Sequence, residues 1–268
     1  MGLKDIVAKK PTTLYYDGSY YDTIEELPVT RFHKYQKYLL VDSGIGSTIE
    51  DFDKHIEKAR RFLMLNDPAN AQKELENLRQ CVYMVQTALS PQHLAFACLV
   101  VSIDGTKCDD LTDDALKKVV DILADSPYEE LTGQLGSVKK KIDAELMLYF
   151  PKLYEDSDAK EFFEKVRRRT LLVLKNIVAG VPVPDGTKDV DDITTELITY
   201  THPQIFAGSD SIEIKFDRQF ENLCLMLSGQ LNVKPKEYTV MEFYNAFEFL
   251  KEKAKNEEKA AKQARTRR

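Results

Sequence analysis

Four histidines, His33, His55, His93 and His202, are the first places to look for chemistry. They form no His-x-x-x-His pair and no His-Glu-x-x-His, so the zinc-hydrolase spacing is missing. His55 comes one position before Ile56 in an apolar helical stripe, which predicts a boundary or surface place for its ring. Gly44-Ile45-Gly46-Ser47 ahead of a helix start has the outline of a phosphate-binding turn, because free N–H groups at a helix N-terminus attract anions. It lacks the Lys of a P-loop and the third Gly of a dinucleotide fingerprint, so it reads as a linker. Asp104, Asp109, Asp110, Asp113 and Asp114 cluster, and hard cations favour carboxylates. Gly105 follows Asp104 directly, however, and no Glu closes a twelve-residue loop, so a turn and an acidic helix start are expected. Asp185, Asp189, Asp191 and Asp192 read as a solvated loop. Arg167-Arg168-Arg169 offers contact with a phosphate backbone or an acidic partner. Consecutive helical residues point about 100° apart, so ion pairs with Glu161 and Glu164 are the expected use of these charges. Cys81, Cys98, Cys108 and Cys224 form no C-x-x-C; three sit in apolar stretches and read as core residues of a protein from a reducing compartment. No catalytic residue, cofactor site or metal site is expected from these patterns, and the chain is not expected to be an enzyme.

The elements that would position any site are mainly helical. Thr- and Tyr-rich runs around Asp17-Gly18 predict a small hairpin. Phe32, Tyr35 and Leu39 predict a helix over 28–41, stopped by Gly44 and Gly46. Ser47 to Glu50 has the form of a capping box ahead of Ile49, Phe52, Ile56, Ala59 and Leu63, spaced as one apolar stripe. Asp67-Pro68 opens a second helix on Ala71, Leu75, Leu78, Val82, Val85 and Leu89, so two antiparallel helices are expected to join through these stripes. Residues 93–103 read either as a buried helix or as a helix running into a strand. Thr112, Ser126, Asp158 and Thr239 are further helix starts. Ile212, Ile214 and Phe216 alternate like a strand but run into the helical set Phe220, Leu223 and Leu227, which Gly229 stops. The expected fold is mainly α, packed antiparallel helices with a small N-terminal β-hairpin. The expected division is an arm and hairpin over 1–26, a helical body over 27–179, a linker over 180–191 at the Pro- and Gly-rich break, and a C-terminal helical region over 192–268.

Composition narrows the function classes. The 268 residues are 43% hydrophobic and 31% charged, with a net charge of −6, ordinary for a soluble globular chain. No apolar run reaches membrane-spanning length, and Met1-Gly2-Leu3-Lys4-Asp5 has neither signal-peptide form nor, with Ile6, a myristoylation motif. Residues 251–268 hold eight Lys or Arg against three Glu, so 30 basic and 41 acidic residues remain for the rest. An acidic body argues against broad nucleic-acid binding and leaves only residues 251–268 to meet nucleic acid.

Two blocks carry a resemblance: Leu27-Pro-Val-Thr-Arg-Phe-His-Lys-Tyr-Gln-Lys-Tyr-Leu-Leu-Val-Asp-Ser-Gly-Ile-Gly-Ser-Thr-Ile-Glu-Asp51 and Tyr238-Thr-Val-Met-Glu-Phe-Tyr-Asn-Ala-Phe-Glu-Phe-Leu-Lys-Glu-Lys253. They resemble proteins encoded among the structural genes of tailed bacteriophages, especially phages of gut Bacteroidetes, including crAss-like ones. The second block is also similar to the C-terminal part of small tail-assembly proteins. The resemblance implies a neck, tail or internal virion component, made in the host cytoplasm, that packs against other phage structural proteins and against copies of itself. No membrane partner is expected. A non-virion tail-assembly chaperone, or a nucleic-acid-associated factor using the basic tail, are the alternatives. Candidate partner-binding residues are Tyr15, Tyr16, Tyr20 and Tyr21 in the hairpin, Phe243, Phe247 and Leu250 in the last helix, and Arg265, Arg267 and Arg268 in the tail. Removing residues 238–268 is expected to abolish assembly and leave the body folded.

Overall fold

A computed structural model describes residues 18–123, 128–151, 157–180, 188–200 and 202–266. The chain is mainly α with a small antiparallel sheet. In order, the elements are β1 (Gly18–Tyr20), α1 (Val29–Gly44), α2 (Ile49–Met64), α3 (Pro68–Gln86), α4 (Pro91–Leu99), β2 (Val100–Ile103), β3 (Thr106–Lys107) and α5 (Asp113–Leu123). They continue with α6 (Tyr128–Tyr149), α7 (Ser157–Val178), α8 (Lys188–Tyr200), α9 (Ile212–Leu231) and α10 (Val240–Thr266). The residues before Gly18, the cap expected at Ser126 and the Pro-rich break after Gly180 lie outside the described residues.

Polar caps set the helix starts. Thr48, one residue later than expected, caps α2: its hydroxyl accepts the Asp51 amide, and the Asp51 carboxylate accepts the Thr48 amide, both at 3.2 Å. Burial acts to raise the Asp51 pKa, but hydrogen bonds from Lys54, Thr48 and Ser47 outweigh it and hold the group below its ordinary value. Asp67 and Pro68 start α3, Thr112 caps α5, and Thr239 and Glu242 form the reciprocal box of α10. The 212–216 alternation belongs to a helix, not a strand. Ser211 caps α9, which runs through Gly229 to Leu231 and ends on Asn232 at φ 54°.

The described residues fall into two compact units. The first comprises residues up to 38, 92–143 and 234 onward. Here β2 pairs antiparallel with β1 on one side and β3 on the other, the β2–β3 turn being Asp104-Gly105. Residues 93–103 resolve as a helix running into a strand, with Leu94 to Val100 fully buried. Leaving a helix for a strand strands the last carbonyls of α4. Arg31 on α1 answers that need. Its buried guanidinium donates to the carbonyls of Cys98 at 3.1 Å, Val100 at 3.0 Å and Cys108, lies 3.6 Å from Asp109, and stacks over Tyr21. The two starts of α1 and α10 are tied by backbone: Val29 N donates to Tyr238 O, and Val240 N to Leu27 O, each at 2.9 Å. Burial pushes the Cys98 thiol up to about 12, although Lys34 and Arg31 pull the other way. The Tyr35 hydroxyl is buried and has no hydrogen-bond partner among the described residues; burial, with Asp143 adding, raises its ionisation above the usual range. Tyr35→Phe is therefore expected to stabilise the protein by about 1 kcal/mol, because an unsatisfied buried hydroxyl is removed. A denaturation midpoint that falls instead would show that the hydroxyl is bonded.

The second unit comprises residues 39–91 and 144–233. α2 and α3 form the expected antiparallel pair, but on different faces. The buried residues are His55, Ala59 and Phe62 on α2 and Asn70, Ala71, Glu74, Asn77 and Cys81 on α3. Ile49, Ile56 and Leu63, expected in the interface, are exposed, as are Leu75 and Val85. A small apolar cluster of Val41, Ile45, Cys81 and Phe206 closes one end. Gly44 is explained there. A Cβ at this position would stand 2.1 Å from Phe206 Cζ, so the ring lies on bare backbone. Gly44→Ala is expected to cost about 1–3 kcal/mol through overpacking. Thermal melts check this, and an unchanged melting temperature would mean that the ring moves aside freely. Gly46, at φ 70° and with Asp51 where its Cβ would be, likewise serves the capped turn.

Candidate interaction surfaces

The polar centre of the α2–α3 pair is built from side chains that helix periodicity did not single out. His55 is 4% exposed and Glu74 2%. His55 Nδ1 lies 2.7 Å from Glu74 Oε2, and Nε2 lies 2.9 Å from the Ile45 carbonyl. Both ring nitrogens thus lie within hydrogen-bond distance of an oxygen. Lys58 Nζ stands 3.8 Å from the other Glu74 oxygen. Asn77 donates to the Gln204 carbonyl at 3.0 Å, and Asn70 to Asp67 at 2.7 Å. Buried polar groups of this kind are tolerated because each is hydrogen-bonded. His55 is therefore a core residue of the pair, which corrects the boundary or surface place expected for it. The arrangement is a structural network: it is closed by protein groups and holds the helices in one register.

Placing that network in the interface sends the apolar stripe outward. Ile56 follows His55 and Leu75 follows Glu74; in an antiparallel pair, one step past the interface turns both helices toward the same side. Ile49, Ile56 and Leu63 recur every seven residues on α2 and so form one strip beside Leu75. Ile49 is 71% exposed and Leu63 59%. Contiguous exposed apolar strips mark contact surfaces.

The residues expected to bind a partner are scattered. Tyr15, Tyr16, Arg267 and Arg268 lie outside the described residues. Tyr20 is exposed on β1 with its ring 6.0 Å from Phe96, and Tyr21 is half-buried under Arg31. Phe243 and Leu250 are both buried in the first unit, where the Phe243 ring meets Tyr244, which in turn meets Phe32. Phe247 is half-buried with Lys251 4.5 Å over its ring. Exposed residues run from Lys251 to Ala260, and Arg265 lies farther along α10. Val240, Phe243 and Leu250 therefore belong to the unit's core, and removing 238–268 would not spare the body.

The acidic groups have local uses: Asp113 accepts from Lys34 at 2.7 Å and Tyr38 at 2.8 Å, and Asp191 pairs with Arg61 at 2.7 Å. Burial acts to raise the Asp113 pKa, but the Lys34 and Tyr38 hydrogen bonds outweigh it and lower the value. Among the described residues, no group of three or more His, Cys, Asp or Glu is arranged to hold a metal ion, and no helix is long and apolar enough to cross a membrane. The expected Arg–Glu pairs on α7 are not formed. Arg169 donates to Thr194 at 2.7 Å, Glu161 pairs with Lys165, and Arg167 and Arg168 make no ion pair among the described residues. No family model matches the chain, and neither the curated proteins nor the solved structures hold a significant match to it.

Proposed function

We propose that this protein is a structural or assembly component of a tailed-phage particle, working by helix packing against partner proteins and copies of itself rather than by catalysis. The observation that carries the reading is the exposed apolar side of the α2–α3 pair, on Ile49, Ile56, Leu63 and Leu75. A polar interior that turns an apolar strip to solvent suits a subunit whose stripe is covered on assembly. The phage setting rests on the resemblance of residues 27–51 and 238–253. Supporting it, the starts of these two blocks meet in one unit through the Pro28–Thr239 bridge, which makes them one local structure rather than two unrelated helix starts.

Light scattering after size exclusion tests the packing mechanism. The expected result is a discrete oligomer that persists in high salt and dissociates in the double variant Ile56→Glu, Leu63→Glu. Both side chains are exposed, so the variant should keep its helical content. A wild-type monomer unaffected by the variant would remove self-association from the reading. Mass spectrometry of purified particles separates a resident component, which is present, from an assembly chaperone, which is absent. Trimming only 251–268 is expected to leave the melting temperature within about 1 °C, because residues 251–260 are all exposed and surface residues contribute little stability. Cutting at 238 is expected to unfold the first unit.

A further inference from the structure

The outer face of α7 has a composition of its own. Its inner face meets α8 through Arg169 on Thr194 and Lys165 on Glu196. On the side next to it, Glu164, Arg167, Arg168, Leu171, Leu172 and Lys175 line a shallow groove of about 290 Å³. Leu171 in this groove is exposed, and so are Leu174 and Val178 farther along the helix, Val178 by 89%. Their spacing of three and four is the a/d seam of a coiled coil, and it places Arg168 and Lys175 at successive e positions on one flank. Arg167, Arg168 and Lys175 make no ion pair among the described residues. A narrow apolar seam with cations on its flank is the half of a helix pair that lacks its other half.

We propose that this seam docks an amphipathic helix of a partner protein, with apolar a/d residues and carboxylates at the flanking positions. The charges decide against a second copy of α7. In an antiparallel pair e faces e, so Arg168 and Lys175 would meet like charges; in a parallel pair e faces g, where Thr170 and Ile177 offer no carboxylate. Carboxylates flanking the apolar side of a partner helix satisfy Arg168 and Lys175, and that apolar side covers the leucines. This inference rests on the assembly reading above and adds the chemistry of one partner.

The probe is a synthetic three-heptad peptide with Leu at a and d and Glu at e and g, compared with a twin carrying Lys for Glu. Fluorescence anisotropy with the full chain should give a dissociation constant of tens to hundreds of micromolar at low salt, since the apolar seam is short. Affinity for the Glu peptide should fall about tenfold or more in Arg168→Glu, Lys175→Glu, and that variant should prefer the Lys twin. Leu171→Ser, Leu174→Ser should abolish binding of both. Circular dichroism checks folding, which substitutions of exposed side chains should leave intact. Absence of binding, or equal binding of both peptides by the wild type, overturns the proposal. So does binding of phosphatidylserine vesicles or duplex DNA at this face without peptide binding. Each measurement uses purified protein and α7 alone, so its failure leaves the α2–α3 result to judge the assembly reading separately.

Discussion

Glu74→Ala is expected to lower stability by about 3–5 kcal/mol, the cost of leaving a buried charge without its partner. The carboxylate accepts from His55 at 2.7 Å at a site where neither side chain reaches water. Without it, His55 Nδ1 faces no acceptor in a buried site, and Lys58 loses the carboxylate 3.8 Å from its Nζ. The double variant His55→Leu, Glu74→Leu should recover most of that loss, because an apolar pair of similar volume replaces the ion pair without desolvating a charge. Urea denaturation of His55→Leu, Glu74→Leu and the double variant closes the cycle. A loss under about 1 kcal/mol for Glu74→Ala would mean that water reaches the pair and that α2 and α3 do not meet on these faces.

The second large effect is expected at Arg31. Arg31→Met keeps most of the aliphatic stem but removes every donor to the carbonyls of Cys98, Val100 and Cys108, and leaves Asp109 without its ion pair. Hydrogen bonds from a charged donor contribute about 1.5–3 kcal/mol each, and carbonyls left buried without donors add a penalty, so a loss of about 4 kcal/mol is expected. Arg31→Lys should recover less than half, since one ammonium cannot span three carbonyls in the plane that a guanidinium reaches. Hydrogen exchange gives the local readout: protection of the β2 amides should fall before that of α2 and α3. If Arg31→Lys matched the wild type, the guanidinium fork would not be what joins α1 to the end of α4.

Much of this architecture is written in local signals. The caps at Asp67, Thr112 and Thr239 act within three or four residues of themselves, so type and spacing were enough to place them. The start of α2 was legible to within one residue, because Ser47 and Thr48 offer competing hydroxyls and only the reach of Asp51 chose between them. Residues 212–216 misled for the opposite reason: a five-residue alternation fits a strand or a helix face, and the Ser211 cap with fifteen further helical residues settled it. The candidate site fared worse. Phe243 and Leu250 continue an amphipathic stripe, and a stripe does not say whether its own domain or a partner covers it.

By itself the sequence determined the helix content, the caps at Asp67, Thr112 and Thr239, the antiparallel α2–α3 pair, the uneven charge and the basic end. These depend on neighbours three or four residues apart, where helix geometry alone decides who meets whom. Only the tertiary structure decided which face each helix buries. On α2 the apolar stripe and the His55 face differ by one residue, a turn of about 100°, and periodicity is nearly as good for either. The choice fell to a partner nineteen residues away, Glu74, whose buried carboxylate needs the imidazole more than the pair needs three further aliphatic contacts. That choice turned Ile49, Ile56 and Leu63 to solvent, and with them the surface on which the proposed function rests.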